Sequence, residues 1–150
     1  MLHLKTNFFT VIILSSLFLF DNISIKRWID VSLDGKWRMI IIKDINSHLL
    51  IEKPATIRGE VDITFTASSL SEGFLFGNTP TNEIGESLYK IGENQSITIS
   101  SLAMTKVMET SWGLQFIDNI LRVKNYFFDN AGNLNLKTET RILVFTKNKI

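Results

Sequence analysis

Residues 110–121, Thr110-Ser111-Trp112-Gly113-Leu114-Gln115-Phe116-Ile117-Asp118-Asn119-Ile120-Leu121, decide the fold class, because they form the one convincing amphipathic helix of the chain. Counted from Trp112, the apolar residues Phe116, Ile117, Ile120 and Leu121 fall four, five, eight and nine positions on, which keeps them on one helix face. Thr110 or Ser111 can cap the start through a side-chain oxygen. On both sides of this segment the apolar period changes to two. Upstream, Glu60-Val61-Asp62-Ile63-Thr64-Phe65-Thr66 alternates over its whole length, the signature of a half-buried strand. Gln95 to Ser100 repeats the pattern after the turn Gly92-Glu93-Asn94. Downstream, Arg122 to Phe128, Leu134 to Thr138 and Arg141 to Thr146 read as three strands, with hairpin turns at residues 129–133 and at Glu139-Thr140.

Working further outward, Asp34-Gly35 turns into Lys36 to Lys43, a first strand rich in β-branched and aromatic residues. His48-Leu49-Leu50-Ile51 either pairs with it or connects onward, and Lys53-Pro54 ends that run because proline cannot donate to a ladder. Ser71 to Phe76 and Ser87 to Ile91 are weaker strands around a polar loop, Gly77 to Glu86, preceded by a Gly73-x-x-x-Gly77-Asn78 turn. The expected class is therefore α+β: a mostly antiparallel sheet, curled or closed into a partial barrel, with one helix packed on it. Trp37, Ile63, Phe65, Ile97, Ile99, Phe116, Ile120, Val123, Leu136, Leu143 and Phe145 sit on the apolar phase of their elements and form the expected core.

The chain has 150 residues, enough for one domain with a proper core, and its composition of 45% hydrophobic and 21% charged residues is that of a globular protein. A net charge of +1, with the cations scattered, supplies no field for nucleic acid or an anionic membrane. Before the domain, a polar start with Lys5 leads into an uncharged run of thirteen residues, Phe8 to Phe20. As a helix that run would span only about 20 Å, against a hydrocarbon core of roughly 30 Å. It fits the apolar region of a signal peptide better than a spanning helix, although Asp21-Asn22-Ile23-Ser24 makes a poor cleavage site. The expectation is a signal peptide or N-terminal anchor over 1–24 and a domain over 25–150. Any membrane contact is expected only through the N-terminal segment, if it is uncleaved. Cysteine is absent, which removes disulfides, thiol catalysis, cysteine zinc sites and a lipoprotein anchor.

The elements also carry an ordered set of short motifs: Gly35-Lys36-Trp37, Gly73-Phe74-Leu75-Phe76-Gly77-Asn78, Thr105-Lys106-Val107-Met108-Glu109, Val123-x-x-Tyr126, Leu134-x-Leu136 and Leu143-x-Phe145. Together, over roughly residues 33 to 147, this series resembles the META/HslJ-like domain, a small bacterial envelope module also found in some protozoa. The family pattern has a cysteine beside the asparagine of its central turn and a second one before the helix. Here no cysteine stands beside Asn78, and Glu109 occupies the second place, so any redox or metal role of such cysteines does not apply. Their joint absence suggests that the two positions lie close in the fold. The resemblance implies an exported, non-catalytic domain, periplasmic, outer-membrane associated or secreted. It further implies a stress-related role or contact with an unknown protein partner or envelope component.

The chemistry-bearing residues fit that reading. His3 and His48 are the only histidines, and one of them lies in the leader, so neither a histidine metal site nor a Ser-His-Asp arrangement has its parts. Glu83 with Glu86, and Glu60 with Asp62, are carboxylate pairs at positions that read as solvated, whereas glycosidase acids need burial. Gly73 to Asn78 lacks the Lys-Ser/Thr ending of a phosphate loop. No catalytic, cofactor or metal residue is expected. Trp37 on the first strand and Arg141 on the last also resemble a lipocalin-type barrel, in which arginine packs over tryptophan and an apolar ligand fills the interior. The simpler expectation keeps Trp37 in the core and Arg141 on the solvent side. Function, if it resides at a site, is expected on the polar loop and the neighbouring segment, at Asn78, Thr79, Asn82, Glu83, Thr105 and Lys106.

Overall fold

The computed structural model describes residues 32–148; the expected leader lies outside them. Nine strands form one antiparallel sheet that curls into a nearly closed barrel. They are β1 (Gly35–Asp44), β2 (Leu50–Glu52), β3 (Asp62–Ala67), β4 (Glu72–Asn78), β5 (Glu83–Ile91), β6 (Ile97–Ile99), β7 (Asn125–Phe128), β8 (Leu134–Lys137) and β9 (Arg141–Lys147). The single α-helix among the described residues, α1 (Ser111–Ile120), sits in the chain between β6 and β7. Around the wall the order is β6-β5-β4-β3-β1-β9-β8-β7, so neighbours in space are mostly neighbours in sequence, and β2 adds to the upper half of β1. The wall closes between β6 and β7 through a Ser96–Asn125 bridge and a bond from Ile97 N to Lys124 O of 2.9 Å. The α+β expectation holds, and the antiparallel sheet is rolled rather than flat.

Apolar side chains fill the barrel. All eleven of the expected core residues are buried, and Met39, Ile42, Leu75, Ile84, Tyr89, Trp112 and Leu134 join them. Phe116 reaches from α1 to Phe145 of β9 in an edge-on contact, with ring centroids 6.5 Å apart. Thr110 caps the helix by accepting from Gly113 N. β1 changes phase partway along: Met39 lies opposite Phe145, but Ile41 opposite Val144, so Ile40 is a bulge. The bulge explains why Trp37 and Met39 face inward on odd positions and Ile42 on an even one.

Four expectations change. The Gly73-x-x-x-Gly77 segment is not a turn, because both glycines lie within β4. They are needed for close approach: a Cβ on Gly77 would overlap the Asp62 carbonyl, and one on Gly73 would overlap the Thr66 carbonyl and the Tyr89 ring. The polar loop shrinks accordingly, since β4 runs to Asn78 and β5 starts at Glu83, leaving only residues 79–82 between them. Asp62 is not solvated. It is 5% exposed, with Arg38 Nε at 2.8 Å and Lys36 Nζ at 3.3 Å, and those cation stems cover the outer wall there. Finally, β7 starts three residues later than the expected strand, because Arg122, Val123 and Lys124 form the crossing from the helix to the wall.

Trp37 is a core anchor, as expected, held by a bond from its Nε1 to Leu33 O of 2.7 Å. The cation above its ring is Lys147, with Nζ 5.2 Å from the centroid. Arg141 lies at the opposite end of β9, facing Asp44 across the ladder, and its half-buried guanidinium meets Gln115 of α1. It is thus neither over the tryptophan nor fully on the solvent side.

Candidate functional site

Between β6 and α1 the chain runs as an extended strap, residues 100–109, along the first half of β5. Two backbone bonds define its register: Gly85 N donates to Ala103 O at 2.8 Å and Thr105 N to Glu83 O at 3.0 Å, around an Ile84–Met104 bridge. Ser87 Oγ accepts from Ala103 N at 3.2 Å, and Thr105 Oγ1 accepts from Glu83 N at 3.0 Å. A shallow groove of about 290 Å³ between the two is lined by Glu83, Gly85, Ala103, Met104 and Thr105.

Beyond Thr105 the wall ends, and the turn at 79–82 takes over its work. Asn82 behaves as a substitute strand residue: its Oδ1 accepts from Val107 N at 2.7 Å while its Nδ2 donates to Val107 O at 2.9 Å. Thr81 Oγ1 donates to Met108 O at 3.0 Å. Thr79 and Asn82 are buried, so these polar turn residues are structural and not solvated.

Glu109 ends the strap and knots it to the helix. One carboxylate oxygen accepts from Thr79 Oγ1 and from Asn82 Nδ2; the other accepts from Thr110 N at 2.8 Å and Thr110 Oγ1 at 3.1 Å. Gly113 makes the space, because a Cβ there would collide with this carboxylate. Partial burial works to raise the Glu109 pKa. The hydrogen bonds from Thr79, Asn82 and Thr110, with Thr81 beside them, outweigh that and hold it below the ordinary value of 4.5. A carboxylate so held stays ionised, and its lone pairs are taken by the protein's own donors. It is suited to positioning the backbone and poorly suited to moving a substrate proton.

Because the folded-state pKa lies below the unfolded one, the stability contributed by Glu109 is complete above about pH 4.5 and is lost as pH falls through the folded value. At neutral pH, Glu109→Gln should lower the melting temperature, since an amide presents a donor to donors. The gap between wild type and variant should narrow steadily below pH 4.5 as the wild-type carboxyl protonates. Melting curves from pH 7 to pH 3 test this; a gap that stays constant would mean that the charge is immaterial.

Of the expected site residues, the fold gathers Thr79, Asn82, Glu83 and Thr105 into this one network. Asn78 points the other way, donating from Nδ2 to Glu60 O at 3.1 Å. Lys106 is exposed on the strap, and among the described residues it makes no ion pair. Glu109 is the member that residue type alone did not select, although its place just before the capping Thr110 was visible. Thr79 of the turn and Glu109 of the strap, 30 residues apart in sequence, are directly hydrogen bonded. Among the described residues no three His, Asp or Glu side chains converge as metal ligands, and no helix is long and apolar enough to cross a membrane. No protein-family model matches the chain, and no curated protein or solved structure matches it either.

Proposed function

We propose that this chain is a non-catalytic, exported module of the META/HslJ-like kind, periplasmic, outer-membrane associated or secreted, that acts by contact with protein and serves a stress-related role. One observation carries the reading. The strap is fixed from beneath by a saturated hydrogen-bond network, and on that rigid base it displays Val107 at 59% and Met108 at 91% exposure. Large apolar side chains held out in solvent on a preorganised backbone cost little ordering entropy on binding, and methionine is enriched in the centres of interfaces. The apolar run Phe8 to Phe20 behind Lys5 supports export. The lipocalin-like alternative has the Lys147–Trp37 stack in its favour. Against it weigh the fully buried Trp37, Phe65, Tyr89, Phe116 and Phe145, which take up interior room that an apolar ligand would need.

The test is a photo-cross-linking residue at position 108 of the full chain in its own cells, with mass spectrometry of the adduct. The expected product joins a protein partner to a chain whose first residue lies near 25. An intact Met1 in the cytosol would overturn the export reading, and no protein adduct at all would overturn the contact reading.

A further inference from the structure

The strap's inner edge is bonded to β5 and the turn, whereas its outer edge is open. Thr105 N and Ala103 O face β5, and both backbone groups of Val107 face Asn82. The intervening residues therefore direct theirs the opposite way, as alternation in an extended chain requires. Among the described residues the N–H and C=O of Met104 and Lys106 and the N–H of Met108 have no protein partner. Thr105, Lys106, Val107 and Met108 are all exposed. No proline or glycine interrupts residues 100–110, and Lys106 is the one cation there, so the usual protections of a sheet edge are nearly absent.

Resting on the contact reading above, we infer that this edge pairs with the same edge of a second copy, antiparallel about a two-fold axis through Thr105. Two features select a second copy. The open groups are self-complementary: with Thr105 opposite its counterpart, Met104 and Lys106 of one chain exchange both backbone bonds with Lys106 and Met104 of the other. The side chains agree with that register. Threonine falls opposite threonine, a favourable cross-strand pair, and Val107 opposite Ala103, while the two lysines are kept off each other. A net charge of +1 adds little repulsion between copies.

The chain has no cysteine, so single replacements report cleanly. A non-hydrogen-bonded antiparallel pair has Cα atoms about 4.5 Å apart, within disulfide reach. The diagonal pair of position 106 with itself lies about 7 to 8 Å apart, beyond it. Oxidation of full-length Thr105→Cys with diamide should give mostly covalent dimer, and Lys106→Cys should give several-fold less. In sedimentation equilibrium the unmodified chain should dimerise. Lys106→Pro, which removes an open N–H and no internal bond, should shift it to monomer. A Thr105→Cys chain that stays monomeric, or a Lys106→Cys chain that cross-links as readily, overturns the two-fold pairing. The photo-cross-link from position 108 separates the two readings. An adduct with a different protein alone leaves the contact reading standing and removes the second copy, and no adduct removes both.

Discussion

Replacing Gly77 by alanine is expected to unfold the domain or come close to it, at a cost of about 3 kcal/mol, the upper part of the usual range for overpacking. The added methyl would overlap the Asp62 carbonyl and press on the Ile63 Cα, both of them backbone atoms that cannot rotate aside. β3 and β4 pair along six positions, from Asp62–Asn78 to Ala67–Gly73, so relief requires prising the two strands apart. Gly85→Ala, in β5, where a Cβ would make only ordinary contacts with Ala103 at 3.7 to 3.8 Å, is the control and should cost far less. Chemical denaturation of both variants measures the difference. A Gly77→Ala protein as stable as the control would mean that β3 and β4 do not approach as closely as described.

Phe116→Ala should cost about 3 to 5 kcal/mol by leaving a cavity that the barrel cannot collapse into. Phe116 is fully buried and is the helix's central side chain in the core, against Phe145 of β9. Phe116→Leu, which keeps most of the volume, should recover much of the loss. Thermal melts of the pair test whether α1 closes the barrel. A neutral Phe116→Ala would show that the helix rests on the wall without filling it.

The sequence was most legible where periodicity and burial agree. β3 alternates because its neighbours β1 and β4 face the same interior, and Ile63 and Phe65 point into it as read. Helix α1 was legible for the same reason, its cap and apolar face being local. Legibility failed where a residue type has two physical uses. Glycine marks turns through conformational freedom, but Gly73 and Gly77 serve a close strand approach that only the partner strand reveals. Threonine and asparagine mark solvated loops, but Thr79 and Asn82 stand in for the missing backbone of a strand, at a distance of some 25 residues from the strap they hold. Asp62 sits on the polar phase of β3 and so read as wet; the side chains of Lys36 and Arg38 that cover it come from another strand. Glu109 was hidden because its partners lie 27 and 30 residues upstream.

β1 stands mid-sheet, with β3 on one side and β9 on the other. Trp37 pairs with Lys147, and Asn148 N donates to Lys36 O at 2.9 Å, so the first and last described strands are stitched together over about a hundred residues of chain. During synthesis, then, β1 waits. Its second ladder is missing until β9 has been made, and a nascent chain lacking β9 has an open seam where the finished one has a wall. Contacts of such long range delay folding until most of the chain is available. For a protein destined for export as proposed above, that delay is useful: a chain that cannot close its barrel early remains threadable while its leader is being engaged.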